Sequence, residues 1–172
     1  EEPQFIEQPS NREAAVAGTV SNTYLETQAN DSVPETITEE TSGGRPSKRY
    51  SYLEHKWIFQ IEAGTGVTLF ANVWASGLAA GDSLVFSFST DDETFIDMFA
   101  VSTEYDDDSY RTYPLPENYS GILYIRAADT LRSPGSYERG GALRGSSQCP
   151  HRQLWRHPAG SAKHPDCLRG RL

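Results

Sequence analysis

Carboxylates cluster in the turn-like segments of this chain. Hard cations such as Ca²⁺ take six to eight oxygen ligands, so carboxylates that converge from loops at one end of a domain can hold such an ion. The residues predicted to hold calcium are Asp91, Asp92, Asp106, Asp107, Asp108 and Asp129. No D-x-D-x-D-G spacing is present. Because Asp is also an ordinary turn and solvating residue, a solvated acidic surface is the competing interpretation.

Aromatic side chains outside the apolar stripes are the second group of residues that could bind a ligand. Trp74, Tyr105, Tyr110 and Tyr113 lie on or beside strand-like segments, and the tyrosines flank the Asp106–Asp108 run. A flat ring can pack against the apolar face of a pyranose while neighbouring polar groups take its hydroxyls. These four residues are therefore the predicted ligand-binding residues for a polysaccharide. The alternative is that the same rings cover a second sheet layer.

The sequence gives little support to catalysis. Residues 1–130 contain one histidine, His55, no cysteine, and no serine in a G-x-S-x-G context. His55 lies in the middle of a predicted strand, where a structural role is expected. We therefore predict no enzymatic activity and no catalytic residue. The loop Gly43–Arg49 is basic but lacks phosphate-loop spacing, so it is interpreted as a turn.

The elements that must position these residues are β-strands. Between Tyr50 and Ile61, Trp57, Phe59 and Ile61 share one face, and a further alternating run follows the Gly64-Thr65-Gly66 turn. We predict a hairpin from these two runs. Other strands are predicted at short spacing without helical periodicity: 20–27, 33–41, 83–90, 94–102, 110–115 and 121–128. The predicted fold class is all-β, a two-sheet antiparallel β-sandwich, jelly-roll-like, with an irregular C-terminal tail.

Charge divides the chain near residue 130. Residues 1–130 hold 7 Lys+Arg and 22 Asp+Glu, whereas residues 131–172 hold 8 and 2. The acidity of the first part argues against nucleic-acid and anionic-membrane partners. No apolar run approaches the length of a membrane span. The predicted organisation is a linker at 1–14, a sandwich module at 15–132 and a non-native or disordered tail at 133–172.

The tail has the composition of a sequence read out of frame. It shows neither the apolar periodicity of a helix nor that of a strand, and it is rich in Arg, Gly, Ser, Pro, Cys and His. The stretch ALRGSSQC can be encoded so that a reading one nucleotide later gives Leu-Tyr-Val-Asp-His-Leu-Ser, an alternating strand. We therefore predict that a frameshift has removed the closing strand of the sandwich. The cysteines and histidines of the tail match no standard zinc-site spacing.

Four segments carry a resemblance to a known kind of module. These segments are SGGRPSKRYSYLEHKWIF, SFSTDDETFIDM, DDDSYRTYPLP and GILYIRAADTLRSPG. Over about residues 17–135 the chain resembles an accessory β-sandwich module of large secreted bacterial multidomain proteins. The resemblance implies a secreted or cell-surface location and other domains of the same parent chain as partners. It favours a non-catalytic accessory or spacer module, with a carbohydrate-binding module holding a structural calcium as the alternative.

Overall fold

A computed structural model describes residues 8–28, 33–62, 66–78, 81–101, 103–106 and 109–136, together with the backbone of two later strands, 142–145 and 154–156. Within these residues the chain is all-β, with two short 3₁₀ turns at Tyr24–Gln28 and Pro46–Lys48. The strands, in chain order, are β1 Arg12–Ala17, β2 Thr19–Ser21, β3 Glu35–Thr38, β4 Glu40–Thr41, β5 Ser51–Tyr52, β6 Glu54–Ile61, β7 Val67–Ala71, β8 Val73–Ser76, β9 Leu84–Ser89, β10 Ile96–Ala100, β11 Arg111–Leu115, β12 Gly121–Asp129, β13 Ala142–Gly145 and β14 Leu154–Arg156.

The first sheet has five antiparallel strands in the order β1-β6-β12-β9-β10. In two of its strands, burial alternates as the sequence predicts. Trp57, Phe59 and Ile61 of β6 are buried, and so are Leu123 and Ile125 of β12. The residues between them point to the other side of the sheet and are more exposed, because successive side chains of a strand project to opposite faces. One side of this sheet is thus the core side and the other is an outer face.

The second layer consists of a four-stranded sheet, β2-β3-β13-β8, and a three-stranded sheet, β11-β7-β14. Asn72 alone separates β7 from β8, so the chain passes directly from one of these sheets to the other. The predicted hairpin between 50–61 and 67–74 is wrong, because β6 belongs to the first sheet and β7 to the second layer. Periodicity identifies both strands but cannot say which neighbour each strand pairs with.

The core lies between the two layers. Leu53, Leu84 and Leu123 have no exposed surface, and Trp57 stacks on Phe86 with ring centroids 5.6 Å apart. Complete burial of one such side chain is worth about 1.5–3 kcal/mol before conformational entropy is subtracted. The prediction of an all-β, antiparallel sandwich is confirmed.

Two local predictions differ from the structure. Strand β1 begins at Arg12, inside the predicted linker, and pairs with β6 through backbone hydrogen bonds that demand no apolar side chain. The predicted strand at 20–27 is limited to β2, after which Tyr24–Gln28 forms a 3₁₀ turn. In both places backbone pairing, rather than side-chain alternation, sets the limits of the strand.

The tail contributes backbone to the second layer. Residues Ala142–Gly145 pair with β3 on one side and β8 on the other. Pairing of this kind depends on the peptide groups, which every non-proline residue supplies. The frameshift itself stays a prediction, and residues 137–141, 146–153 and 157–172 lie outside the described residues.

Candidate functional site

The structure places the four predicted aromatic residues in different environments. Trp74 is buried, with 8% of its surface exposed, and Tyr113 packs against the core beside Phe88. Tyr110 is half-buried, whereas Tyr105 is 71% exposed. A sugar-stacking ring needs one open face, so of the four only Tyr105 combines an aromatic ring with a largely open surface. These residues do not form one platform.

The carboxylates predicted to hold calcium are also separated. Asp129 pairs with Leu84 at the start of β9, whereas Asp91 and Asp92 follow its other end. At about 3.3 Å per residue, β9 holds these two positions roughly 17 Å apart. Asp107 and Asp108 lie outside the described residues. The convergence on which the calcium prediction depended is therefore absent between Asp129 and the Asp91–Asp92 pair.

Each described carboxylate of that set has a local structural partner instead. Asp129 Oδ1 accepts hydrogen bonds from the Leu53 backbone N–H and from Arg132 Nε, both at 3.0 Å. Asp92 forms an ion pair with Lys56 at 2.6 Å, and Asp106 accepts from Asn72 Nδ2 at 3.0 Å. These contacts tie loops and strands together, which is the ordinary structural use of a short acidic side chain.

Asp91 organises the turn that leaves β9. Its carboxylate accepts from the backbone N–H groups of Thr94 and Glu93, at 2.8 and 2.9 Å, and from the Ser89 hydroxyl at 2.7 Å. These hydrogen bonds favour the charged form, those from Thr94 and Glu93 most strongly, and they lower the pKa of Asp91 to about 2. The turn delivers the chain to Phe95, immediately before β10.

The outer face of the first sheet carries a cross-strand row of polar side chains. Strand register aligns Lys56 of β6, Arg126 of β12, Ser87 of β9 and Asp97 of β10 side by side. Arg126 Nε donates to the Ser87 hydroxyl at 3.2 Å. The row extends across four neighbouring strands, and its exposure is uneven: Ser87 is buried, Lys56 and Arg126 are half-buried, and Asp97 is exposed.

Phe95 lies over this row. Its ring centroid is 3.9 Å from the Arg126 guanidinium carbon and 5.4 Å from Lys56 Nζ. The contact is a cation–π interaction, which holds the ring and both cationic side chains in one arrangement. Tyr124, half-buried, is two residues from Arg126 on the same face. We call Phe95, Lys56, Arg126, Asp92 and Tyr124 the outer-face cluster.

Sequence reasoning names Asp92 of the outer-face cluster, as a calcium ligand, but does not bring the cluster together. Alternation in 50–61 does assign Lys56 to the face opposite Trp57. The register that aligns Lys56 with Arg126, and the turn that folds Phe95 over both, depend on contacts between residues distant in sequence. A lone phenylalanine before a strand gives no sign of such a contact.

A second cluster lies on the core side, near the end of the first sheet. His55 Nε2 is 3.2 Å from Glu35 Oε1 and 3.4 Å from Glu13 Oε2. His55 and Glu35 have no exposed side-chain surface, whereas Glu13 has 21%. Among the residues that the structure describes, these three form the group of His, Cys, Asp and Glu side chains close enough to hold a metal ion. Sequence reasoning assigns His55 a structural role and leaves both glutamates unmarked.

Comparison with known proteins gives matches among solved structures only. No protein-family model matches the chain, and no curated protein matches it. A family 61 carbohydrate-binding module in complex with β-1,4-galactotriose is 12% identical, with a TM-score of 0.40 over 79% of this chain and 83% of that chain. A family 29 module is 12% identical, with a TM-score of 0.42 over 91% and 89%.

A third similar structure is a family 32 carbohydrate-binding module of a family 31 glycoside hydrolase from Clostridium perfringens. It is 9% identical, with a TM-score of 0.42 over 87% of this chain and 90% of that chain. Similarity at this level carries no information about ligand or site residues. No helix in the described part of the chain has the length and apolarity to cross a membrane.

Proposed function

We propose that this chain is a non-catalytic carbohydrate-binding module that holds a neutral polysaccharide on the outer face of its first sheet. The observation that carries the proposal is the placement of the half-buried Phe95 ring over Lys56 and Arg126 on the outer face of the first sheet. In this proposal the module is an accessory part of a secreted multidomain protein, and it serves the other domains by attaching them to a polysaccharide.

The chemistry of the outer-face cluster suits a sugar. One face of a pyranose is apolar and packs on an aromatic ring, while its hydroxyls need donors and acceptors around the rim. Phe95 supplies a ring held in place by two cationic neighbours. Lys56, Arg126 and Asp92 supply donors and acceptors, and the side chains of these three are 16%, 28% and 39% exposed.

The charges of the outer-face cluster favour a neutral ligand. Lys56 is paired with Asp92 at 2.6 Å, and Arg126 Nη1 is 4.0 Å from Glu54 Oε1. Asp97 adds a further negative charge to the same row. With each cation already beside a carboxylate, an acidic polysaccharide would gain no unpaired positive charge and would be repelled by the net charge of −9.

Affinity gel electrophoresis against a panel of neutral plant polysaccharides, with an acidic polysaccharide beside them, tests this proposal. We expect at least one neutral polymer to retard the protein and Phe95→Ala to weaken retardation about tenfold, equivalent to about 1.4 kcal/mol. Ile96→Ala is the matched control: Ile96 is 52% exposed and pairs with Phe88, so it projects to the opposite side of the sheet.

The outcomes separate the proposal from its main alternative, a spacer without a ligand. Retardation that survives Phe95→Ala but not Tyr105→Ala would move the binding surface to the exposed tyrosine. No retardation by any polymer, with the far-ultraviolet circular dichroism of a folded β-protein, would reject carbohydrate binding and favour the spacer.

A further inference from the structure

We propose that Glu13, Glu35 and His55 bind one divalent transition-metal ion of the zinc type. The three residues come from β1, β3 and β6, so the ion would connect the first strand and the second layer to the centre of the first sheet. This site lies on the core side of the first sheet, away from the outer-face cluster, and its existence does not depend on carbohydrate binding.

The distances from His55 Nε2 to the two carboxylate oxygens match a tetrahedral site. All three candidate atoms lie within 4.8 Å of one another, and His55 Nε2 is 3.2 and 3.4 Å from the two carboxylate oxygens. Zinc bound at about 2.0–2.2 Å by nitrogen and oxygen ligands in tetrahedral geometry separates those ligands by roughly 3.3–3.5 Å. Two of the three ligand separations are therefore those of a bound tetrahedral ion, and the third, between the two carboxylate oxygens, is at most 4.8 Å.

His55 provides an independent indication of a ligand. Its side chain is completely buried, and in the described part of the chain neither ring nitrogen makes a hydrogen bond of acceptable geometry. Nε2 faces both carboxylates at close range without such geometry. Buried polar groups normally make hydrogen bonds, so the buried His55 ring without one calls for an explanation. A metal ion between Nε2 and the two oxygens supplies one.

Neighbouring groups hold both carboxylates in orientation. The Trp57 indole N–H donates to Glu35 Oε2 at 2.8 Å, which leaves Oε1 directed at His55. The Tyr24 backbone N–H donates to Glu13 Oε2 at 3.1 Å. Hydrogen bonds of this kind to ligating side chains fix their orientation and tune the bound ion. A dication would also neutralise two carboxylates, one of which is fully buried.

The donor set selects the class of ion. Imidazole with carboxylate suits zinc, cobalt and nickel, whereas calcium requires six to eight oxygens and takes no imidazole nitrogen. Three protein ligands leave a fourth position for water, and the partly exposed Glu13 provides the route of entry.

Zinc binding to the whole chain, measured by calorimetric titration at neutral pH and by thermal unfolding, tests the proposal. Because the tail offers other zinc ligands, all variants carry Cys149→Ser and Cys167→Ser. We expect one equivalent of Zn²⁺ to bind and to raise the unfolding temperature, since an ion that binds only the folded state stabilises it. Glu13→Gln and His55→Gln are expected to weaken binding at least about 100-fold.

Glu54→Gln is the matched control, because Glu54 precedes His55 in β6 and projects to the outer face. It is expected to bind zinc like the parent. Glu13→Gln keeps the assay interpretable if His55→Gln fails to fold, since Glu13 lies in the edge strand β1 and is partly exposed. A folded parent that binds neither Zn²⁺ nor Co²⁺, or zinc affinity unchanged in Glu13→Gln, would overturn the proposal. Neither result alters the test of Phe95.

Discussion

The indole N–H of Trp57 donates to Glu35 Oε2 at 2.8 Å, and this buried hydrogen bond joins the centre of the first sheet to the second layer. The acceptor is a carboxylate with no exposed surface, so the donor cannot be replaced by water without rearrangement.

Trp57→Phe tests the strength of this connection. The substitution keeps an aromatic ring but removes the donor and some volume, and it is expected to lower the free energy of unfolding by about 3 kcal/mol. Guanidinium unfolding followed by circular dichroism measures the change. Phe59→Leu, the next core-facing position on β6, loses volume without losing a hydrogen bond. An equal cost for the two variants would show that the hydrogen bond contributes nothing.

Asp129 is expected to stabilise the fold mainly through its hydrogen bond from the Leu53 backbone N–H. Its buried side chain accepts from the Leu53 N–H, and its second partner, Arg132, is 42% exposed. Since the exposed cation is screened by solvent, most of the cost of Asp129→Ala should come from the unsatisfied Leu53 N–H, about 2 kcal/mol. Urea unfolding measures it. Asp97→Ala, at an exposed position of β10, should change stability by less than about 0.5 kcal/mol. Equal effects at the two positions would contradict the argument.

The lowered pKa of Asp91 predicts that the stability of the fold depends on pH. Its pKa is lowered from 3.8 to about 2 by the hydrogen bonds that its charged form accepts, so the folded state binds its proton less readily than the unfolded chain. The stabilisation is therefore complete above about pH 4 and is lost as the pH falls through about 2. Thermal unfolding of Asp91→Asn should show a midpoint below the wild type at pH 6, with the difference shrinking towards pH 2. Glu93→Gln, which keeps the Asp91 carboxylate, should retain the wild-type profile; a difference for Asp91→Asn that does not depend on pH would be inconsistent with this role.

Gly18 combines backbone strain with a close contact. Its φ is +103°, and a Cβ there would lie 2.9 Å from the Thr38 carbonyl oxygen and 3.2 Å from Ile37 Cγ2. Gly18→Ala is expected to cost about 2–3 kcal/mol. Gly44→Ala, at φ +99° with no atom within 4 Å, should show the conformational part alone, about 1 kcal/mol. Denaturant unfolding of both variants gives the cost of the contact by difference, and equal costs would mean that Thr38 moves away freely.

The sequence predicts where the strands of this protein lie better than it predicts which strands pair with each other. Alternation assigns Trp57 and Phe59 to the core because that signal is local and depends only on the pleat. It cannot place β7 in a different layer from β6, because pairing is decided by contacts across the whole chain. The short 3₁₀ turn after β2 is missed for a related reason, since Tyr24 and Thr27 are ordinary strand residues whose conformation follows from hydrogen bonds such as Thr27 Oγ1–H to the Tyr24 carbonyl.

The candidate sites are less predictable than the fold. Runs of aspartate attract attention in a sequence, yet Asp91 and Asp129 are held at opposite ends of β9. His55 meets Glu13 and Glu35 only because β1 pairs with β6 and β3 lies in the facing layer. Phe95 meets Arg126 because the turn held by Asp91 folds it back over the sheet. Each of these juxtapositions depends on tertiary structure that no local pattern encodes.

The position of β13 between β3 and β8 has a consequence for synthesis. All five strands of the first sheet have left the ribosome once Asp129 has emerged, but the edges of β3 and β8 have no strand between them until residues 142–145 arrive. Until then, and until β14 pairs with β7, the nascent chain presents incomplete sheet edges, which are templates for pairing with other chains. The partly synthesised chain is therefore expected to be more prone to aggregation than the complete one.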